Sequence, residues 1–308
     1  ARLNAPTRVP STLGDERAVS ASAGDGHSLA LTADGAVWSW GGGFFGKLGH
    51  GDEQDQWQPK KIEAFADQRV VAVSGGTAHN LALTADGSVW SWGWGAYGIL
   101  GHGDTQSSLL PKKVEAFAGQ RVVAVSAGAS HSFAITADGA AWSWGDGGCG
   151  KLGHGDTQRQ LLPKKIEAFA GRRVVAVSAA HAHSLAITAD GSAWSWGEGS
   201  FGRLGHGNRQ DQLLPKKVES LAGQCVVAVS AGAHHSLALT ADGAVWSWGS
   251  GAYGRLGHGD AQRQLLPKKI ETLAGWRVVA VSAGDNHSLA VTADGAVWSW
   301  GGGGFGRL

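Results

Sequence analysis

Trp38-Ser39-Trp40-Gly41 is the stretch that decides the fold, because the same four residues return at a constant interval of 52 residues. The six copies hold 12 of the 15 tryptophans, and no copy is shifted relative to the others. In a chain of equal units each unit packs mainly against its neighbours, so the repeat sets the architecture more strongly than the length of 308 residues does. The other copies begin at Trp90, Trp142, Trp194, Trp246 and Trp298.

The third unit shows the elements that every unit predicts. Residues 121–128 read RVVAVSAG, an apolar run of strand length that we expect to be buried on both sides. A second strand follows over residues 131–137, and Asp138-Gly139 predicts a two-residue type I′ hairpin. Residues 141–144 return as a third strand with both tryptophans on one face. Pro163 then opens a fourth strand, PKKIEAF, whose proline and charges suit an outer edge.

Four short strands in each unit, buried inside and charged outside, predict an all-β fold: a six-bladed β-propeller of four-stranded antiparallel blades. We expect residues 1–308 to form a single propeller domain. Residues 6–12 match the outer strand that the last unit lacks, so we expect them to pair beside residues 296–300 and close the ring. The expected blades span about 15–66, 67–118, 119–170, 171–222, 223–274, and 275–308 completed by 1–14.

Four motifs recur in order at fixed spacing in every complete unit: V-x-A-G-x-x-H-S, T-A-D-G, W-S-W-G and G-x-L-G-H-G-D, with small variations. On these motifs the chain resembles the regulator-of-chromosome-condensation repeat family over essentially its whole length. The resemblance implies a β-propeller closed by its N-terminal strand. Familiar members of the family have seven blades, whereas this chain has six units, and the match between its two ends favours a closed ring of six.

Composition narrows the classes of partner. The net charge is +1, with 26 basic and 25 acidic residues, which predicts no specific nucleic-acid binding. No apolar run reaches 18 residues, so we expect no membrane insertion. Cys149 and Cys225 occupy different points of the repeat, which disfavours a disulfide and favours an intracellular location, cytoplasmic or nuclear. Because the chain starts at Ala1 and contains no methionine, we expect a processed or partial product.

Histidine recurs at two points of the repeat and could in principle supply metal ligands, since imidazole suits zinc, copper and nickel. A repeat copies residues without making them converge, however, so we interpret each histidine as a cap that hydrogen-bonds to the backbone of its own loop. Every unit contains serine, histidine and aspartate, so no single Ser/His/Asp arrangement stands out, and we expect no catalytic site, no metal and no cofactor. The two sets are His27, His79, His131, His183, His235 and His287, and His50, His102, His154, His206 and His258.

The positions that differ between units lie in the loops, and a rigid frame with variable loops is typical of a binding protein. We therefore predict a non-catalytic scaffold for protein–protein interaction, with one unidentified protein partner. The candidate contact residues before the recurring histidines are Asp25, Thr77, Ser130, His181, His234 and Asp285. Those after the tryptophan pairs are Trp94, Tyr97, Asp146, Glu198 and Ser250.

The resemblance leaves other roles open. A nucleotide-exchange factor for a Ran-type small GTPase would need an inserted hairpin, and no unit carries an insertion. A UV-B photoreceptor-like propeller would need tryptophans in the loops before the histidines, and those loops contain none. The chain could also be a substrate-recognition or regulatory propeller of a larger ubiquitin ligase, a structural subunit of a large complex, or a consensus-engineered repeat.

Overall fold

A computed structural model describes Leu13 and residues 16–304 of the chain. Six antiparallel sheets follow one another in this part, five of four strands and one of three, and each sheet takes its strands in sequence order. The described residues contain short 3₁₀ turns and no α-helix. The predicted fold class, a six-bladed β-propeller with four-stranded antiparallel blades, is confirmed. The expected pairing of residues 6–12 with residues 296–300 lies outside the described residues.

The 23 strands are five or six residues long, and the third strand of every blade is the one that carries the tryptophan pair. The first three blades contain β1 (Ala18–Ala23), β2 (His27–Thr32), β3 (Val37–Gly41) and β4 (Gln56–Lys61); β5 (Val70–Gly75), β6 (His79–Thr84), β7 (Val89–Gly93) and β8 (Ser108–Lys113); and β9 (Val122–Ala127), β10 (His131–Thr136), β11 (Ala141–Gly145) and β12 (Gln160–Lys165). The last three contain β13 (Val174–Ala179), β14 (His183–Thr188), β15 (Ala193–Gly197) and β16 (Gln212–Lys217); β17 (Val226–Ala231), β18 (His235–Thr240), β19 (Val245–Gly249) and β20 (Gln264–Lys269); and β21 (Val278–Ala283), β22 (His287–Thr292) and β23 (Val297–Gly301).

These strands group into two compact units. The N-terminal unit holds the sheets of the first three blades, over residues 16–147 and 158–166. The C-terminal unit holds the sheets of the last three blades, over residues 167–304, together with Gly148–Thr157. Within the described residues, no helix is long and apolar enough to cross a bilayer.

The innermost strand is less buried than its sequence predicts. In β9, Val122 is buried but Val123 is 49% exposed, so burial on both sides is wrong for this strand. The reason is its position, because β9 is the first strand of its sheet and has a neighbouring strand on one side only. Strand β10 is buried along its whole length, as expected for a strand between two others.

The Asp-Gly hairpin is not the expected type I′ turn, since Gly139 has a φ of +85° while Asp138 does not adopt a positive φ. The Oδ1 atom of Asp138 instead accepts hydrogen bonds from the Thr136 hydroxyl (2.6 Å) and from the Ala140 backbone N–H (3.1 Å). This side-chain bridge holds Asp138 inside the turn and leaves the left-handed conformation to Gly139. The hydrogen bond from Thr136 is also the main reason that the pKa of Asp138 is lowered.

The outer strand also differs from its prediction. Strand β12 begins at Gln160, before Pro163, and ends at Lys165, so PKKIEAF is not one strand. The last three residues of the PKKIEAF segment, Glu167–Phe169, form a 3₁₀ turn, which carries the aromatic side chain of Phe169 back into the core. The turns at this place in the repeat are Glu63–Phe65, Glu115–Phe117, Glu167–Phe169, Glu219–Leu221 and Glu271–Leu273.

The side chain that this turn returns to the core packs between the two tryptophans of the next blade. The ring of Phe65 lies 5.8 Å from that of Trp90 and 5.7 Å from that of Trp92, which confirms that both tryptophans point to one face. Trp92 is fully buried, and its indole N–H donates to the backbone carbonyl of Lys47 at 3.1 Å. Burying such a ring contributes about 4–6 kcal/mol, so the packing of Phe65 against the tryptophan pair stabilises the contact between neighbouring blades.

Candidate functional site

Two loops meet at the same end of every blade, and they carry both sets of variable positions. In a sheet of four sequential antiparallel strands, the loop between the first and second strands and the loop between the third and fourth strands lie at one end. A backbone hydrogen bond joins them, from the residue after Trp-Ser-Trp-Gly to the residue before the histidine. The bonds are Gly42 to Gly26, Trp94 to Ala78, Asp146 to Ser130, Glu198 to Ala182, Ser250 to His234 and Gly302 to Asn286, at 2.7–2.9 Å.

The glycine of Trp-Ser-Trp-Gly makes this close approach possible. Gly93 has a φ of +103°, and a Cβ atom placed on it would lie 2.5 Å from the carbonyl oxygen of Ala78. Any side chain at this position would therefore combine backbone strain with a steric clash. The invariance of this glycine among the six units follows from the geometry of the loop end.

The tip of the second loop carries an unusual backbone conformation. Each complete loop forms a 3₁₀ turn in which the residue before the last glycine has a φ between 56° and 63°. A non-glycine residue in the left-handed region costs about 1–2 kcal/mol, and a bulky residue is seldom found there. The five residues are Phe45, Tyr97, Cys149, Phe201 and Tyr253, of which four are aromatic.

Four aromatic side chains of the N-terminal unit contact one another in series at this end. The ring centroids are 5.0 Å apart for Phe44 and Phe45, 5.8 Å for Phe45 and Trp94, and 5.6 Å for Trp94 and Tyr97. Phe44 is 65% exposed and Tyr97 is 38% exposed, while Phe45 and Trp94 are half-buried. We call Phe44, Phe45, Trp94 and Tyr97 the aromatic ladder.

A cation of the chain itself binds one end of the aromatic ladder. The guanidinium carbon of Arg159 lies 5.0 Å from the ring centroid of Tyr97, within the range of a cation–π interaction. In three other repeats the residue at the position of Arg159 accepts a hydrogen bond from a loop glycine instead, as Asp55 does from Gly43 at 2.9 Å. The change to arginine therefore replaces a loop cap with a contact to the neighbouring blade.

The C-terminal unit places a buried arginine at the same end. Arg203 is 1% exposed, and one of its nitrogens lies 3.0 Å from a carboxylate oxygen of Glu198. The guanidinium also donates to the carbonyl of Ala233 and to the Nδ1 atom of His234, both at 3.1 Å. Burial lowers the pKa of Arg203 despite the nearby carboxylate, and burial together with Arg203 lowers the pKa of His234. His234 is therefore a neutral acceptor in this network.

Aromatic tips of the C-terminal unit already have cations against them. The ring of Phe201 lies 5.5 Å from the guanidinium of Arg203 and 5.4 Å from that of Arg263. The ring of Tyr253, which is 69% exposed, lies 5.5 Å from the guanidinium of Arg255. Arg255 is itself buried and donates to the carbonyl of Asp285 at 2.9 Å.

The first set of histidines links neighbouring blades through the ring Nε2 atom, a contact that the sequence did not predict. The Nε2 atom of His79 lies 2.8 Å from the Ser132 hydroxyl, which donates in turn to the carbonyl of Ile99 at 2.9 Å. In the second blade Asn80 replaces the serine: its amide oxygen lies 2.7 Å from His27 Nε2 and its amide nitrogen donates to Lys47. Burial lowers the pKa of His79 to about 3, so the ring is neutral.

The second set of histidines contacts the serine between the two tryptophans. The Nε2 atom of His102 lies 3.0 Å from the Ser91 hydroxyl, which donates to the carbonyl of Leu100 at 2.7 Å. Because the hydroxyl proton already faces a carbonyl, the histidine must donate and cannot take that proton as a general base. These Ser-His pairs hold the loop in place and are not nucleophile–base pairs.

The structure places the predicted contact residues at this end, with differences in what each can offer. Asp25, Thr77, His181 and Asp285 are exposed, and the Ser130 hydroxyl lies 3.4 Å from the Asp146 carboxylate. Glu198 and His234 are brought together through Arg203. Ser250 is only 8% exposed, so it offers little surface to a partner.

Sequence reasoning missed Phe44, Phe45, Phe201 and Tyr253, together with Arg159 and Arg263, which contact Tyr97 and Phe201. The available signal was the aromatic residue before a glycine in each loop, which alone does not indicate its backbone conformation. Within the part of the chain that the structure describes, no three histidine, cysteine, aspartate or glutamate side chains form a group that could hold a metal ion.

Models of known families match most of the chain. The RCC1-like domain matches residues 2–185, and the regulator of chromosome condensation (RCC1) repeat matches residues 190–239 and 242–291. A second model of the RCC1 repeat matches residues 174–203, 226–255 and 278–307.

Individual relatives cover most of the chain as well. It is 40% identical to the ultraviolet-B receptor UVR8 of Arabidopsis thaliana, over 93% of this chain and 66% of that protein. It is also 40% identical to the E3 ubiquitin-protein ligase HERC2 of Homo sapiens, over 98% of this chain and 6% of that protein. The chain thus spans just under two thirds of the receptor and a small part of the ligase.

Solved structures show the same fold. Human WBSCR16 superposes with a TM-score of 0.85 at 28% identity, over 95% of this chain and 78% of that one. Prp20p of Saccharomyces cerevisiae, described with its binding properties to Gsp1p and histones, gives a TM-score of 0.81 at 28% identity, over 93% of this chain and 72% of that one.

Proposed function

The chain belongs to the family of RCC1-like domains, and from this premise we propose that it is a non-catalytic module that binds a protein partner through the loop end of its blades. The observation that carries the proposal is the row of aromatic residues held at positive φ on the loop tips. Backbone strain of this kind persists where the surrounding structure enforces it, and it concentrates at functional sites.

The aromatic ladder is the best-formed contact surface on these loops. Partner-binding hot spots are rich in tryptophan, tyrosine and arginine, and the ladder with Arg159 brings all three types together. The ladder is preorganised, because its rings already contact one another and its backbone is fixed by hydrogen bonds such as that from Trp94 to Ala78. Preorganised side chains lose little conformational entropy on binding.

The specific roles named for the relatives describe those proteins. An RCC1-like domain occurs in a receptor, in a ligase and in Prp20p, which has been studied for its binding to Gsp1p and histones. Protein binding is the role printed for Prp20p, and in this chain it would require only the exposed loops. Identifying the bound partner would distinguish between four narrower proposals. These are exchange-factor activity, a part in a ubiquitin ligase, a structural role and light reception.

Site-specific photo-crosslinking tests the proposal. Benzoylphenylalanine placed at Phe44 puts the probe on the aromatic ladder, and the same probe at Glu115 puts it on an exposed turn at the other end of a blade. Illumination in an extract of the source organism should give a discrete higher-mass product from Phe44 and none from Glu115. Products from Glu115 alone, or from neither position, would show that the loop end is not the binding surface.

A further inference from the structure

The exposed rings of the aromatic ladder differ from the other aromatic tips in having few cations around them. Phe201 and Tyr253 of the C-terminal unit each have at least one arginine of the chain against the ring. Among the described residues, the ladder has one such contact, between Arg159 and Tyr97 at its end. Phe44, Phe45 and Trp94 contact other rings and make no cation–π contact there.

The loops that carry the ladder are acidic. The loop-end segments of the N-terminal unit, residues 24–26, 42–55, 76–78, 94–107, 128–130, 145–147 and 158–159, hold six acidic and two basic residues. The acidic residues are Asp25, Asp52, Glu53, Asp55, Asp104 and Asp146, and the basic ones are Lys47 and Arg159. The histidines of these segments, His50 and His102, have lowered pKa values because of burial and add no charge at neutral pH.

The equivalent segments of the C-terminal unit serve as an internal comparison. Up to residue 304 they hold five acidic residues, Asp156, Glu198, Asp211, Asp260 and Asp285, and five basic ones, Lys151, Arg203, Arg209, Arg255 and Arg263. Equivalent loops on one scaffold thus carry balanced charge in one unit and negative charge in the other. The negative charge coincides with the aromatic ladder and its free ring surface.

Two of these acidic residues adjoin the turn that carries Phe44 and Phe45. Asp55 accepts the hydrogen bond of Gly43, the residue before Phe44, at 2.9 Å. Gly43 also packs so closely on the following segment that a Cβ atom there would lie 2.7 Å from the carbonyl oxygen of Glu53. Lys47, one of the two cations, has its ammonium group 3.3 Å from the carbonyl of Asp25.

We propose that the occupant of the aromatic ladder is a cationic segment of a protein, whose arginine or lysine side chains lie on Phe44 and Trp94 at this acidic loop end. This inference rests on the proposed function and names the chemistry of its partner. Tryptophan is the strongest cation–π acceptor among the side chains, and a net negative charge on the loops that carry the rings favours a cationic partner. The Arg159–Tyr97 contact shows that a guanidinium fits against this row of rings.

A peptide titration tests the inference directly. The probe is a fluorescein-labelled peptide of alternating arginine, glycine and serine, with the citrulline peptide as its uncharged match, at about 0.15 M salt to screen long-range attraction. Trp94→Gly copies Gly42 and Gly302, and Phe44→Ala copies Ala96 and Ala252, so both variants use residues that other units place there. We expect each variant to weaken arginine-peptide binding about tenfold, a typical loss for a hot-spot ring.

Matched controls separate the ladder from general charge. Tyr253→Gly removes an equally exposed aromatic ring from the C-terminal unit and should leave peptide affinity within about twofold, since that ring already has an arginine. The pair Asp25→Asn and Glu53→Gln should weaken binding about fivefold, whereas Glu63→Gln with Glu115→Gln, of the same net charge change at the other end, should not. All these carboxylates are exposed.

Three results would overturn the inference. Equal binding of the citrulline peptide would show that charge is not recognised. Equal affinity of the wild type and the Trp94→Gly protein would show that the peptide is held by general electrostatics. No peptide binding, together with a specific crosslink from Phe44 in extract, would reject the cationic partner while leaving the proposed protein-binding function standing.

Discussion

The Nε2 atom of His79 lies 2.8 Å from the hydroxyl of Ser132, which is 53 residues further along the chain and in the next blade. The serine makes a second contact, because its hydroxyl donates a hydrogen bond to the carbonyl of Ile99 in the loop of the earlier blade. The same relay joins His235 to Ser288 at 2.8 Å. Each histidine and its serine are 53 residues apart, which is the 52-residue repeat plus one residue. An insertion within a unit would therefore have to be accommodated without separating these two side chains.

Removing the hydroxyl of Ser132 should destabilise the protein by about 1–3 kcal/mol, because the buried His79 would keep an N–H without an acceptor. The measurement is the urea midpoint of Ser132→Ala compared with the wild type. Ser132→Asn is the matched control, since Asn80 makes the equivalent contacts to His27 and Lys47. An alanine variant as stable as the wild type would mean that the relay contributes nothing.

Acid should weaken the fold well before its carboxylates are protonated. Burial lowers the pKa of His79 and of His235 to about 3 and that of His206 to about 4, while unfolded histidine has a pKa of 6.5. The unfolded chain therefore binds more protons below pH 6.5, and the free energy of unfolding falls by about 1.4 kcal/mol per pH unit for each fully buried histidine.

Urea midpoints measured at intervals from pH 7.5 to pH 4.5 check this expectation. The midpoint should be constant above about pH 7 and should fall steadily below about pH 6.5, since the histidines that stay neutral in the folded state become charged in the unfolded one. Asp86, whose pKa is lowered to about 2 by its hydrogen bond from Thr84, adds a further loss only below pH 3.8. A midpoint unchanged over the whole range would contradict the role given to the buried histidines.

The fold was predictable because its decisive residues are repeated. The Trp-Ser-Trp-Gly period gave the blade count, and the spacing within it placed both tryptophans on one face. The Asp138-Gly139 turn was predicted wrongly because the hydrogen bond from Thr136 to Asp138 overrides the preference of the dipeptide. The end of the outer strand was wrong because Phe169 gains more by turning into the core than by continuing β12.

The contact surface was only partly predictable. Variation between units pointed to Trp94 and Tyr97, which the structure joins in one ladder. It did not point to Phe44, whose neighbourhood depends on how two loops meet. No residue preference predicts an aromatic side chain at positive φ, because this conformation is imposed by the surrounding loop.

Gly93→Ala should be far more destabilising than Gly119→Ala, although both glycines have a positive φ. A Cβ atom on Gly93 would lie 2.5 Å from the carbonyl of Ala78, whereas one on Gly119 would meet nothing within 4 Å. We expect a loss of at least about 3 kcal/mol for the first and about 1 kcal/mol for the second, from urea unfolding. Equal losses would show that φ alone, and not the closeness of the two loops, requires a glycine at position 93.

Strain at the loop tips can be measured by comparing the stabilities of a glycine and an alanine variant at one tip. Elsewhere in a folded chain alanine is the more stabilising of the two, because glycine gains more entropy on unfolding. Tyr253 has a φ of 62° and is 69% exposed, so replacing it removes little packing. Both Tyr253→Gly and Tyr253→Ala lose the contact with Arg255, but only the glycine relieves the left-handed strain. The glycine variant should therefore be more stable than the alanine variant by about 1 kcal/mol in urea unfolding. If alanine proves equal or better, the tips are not strained, and the aromatic residues there need no functional reason to be kept.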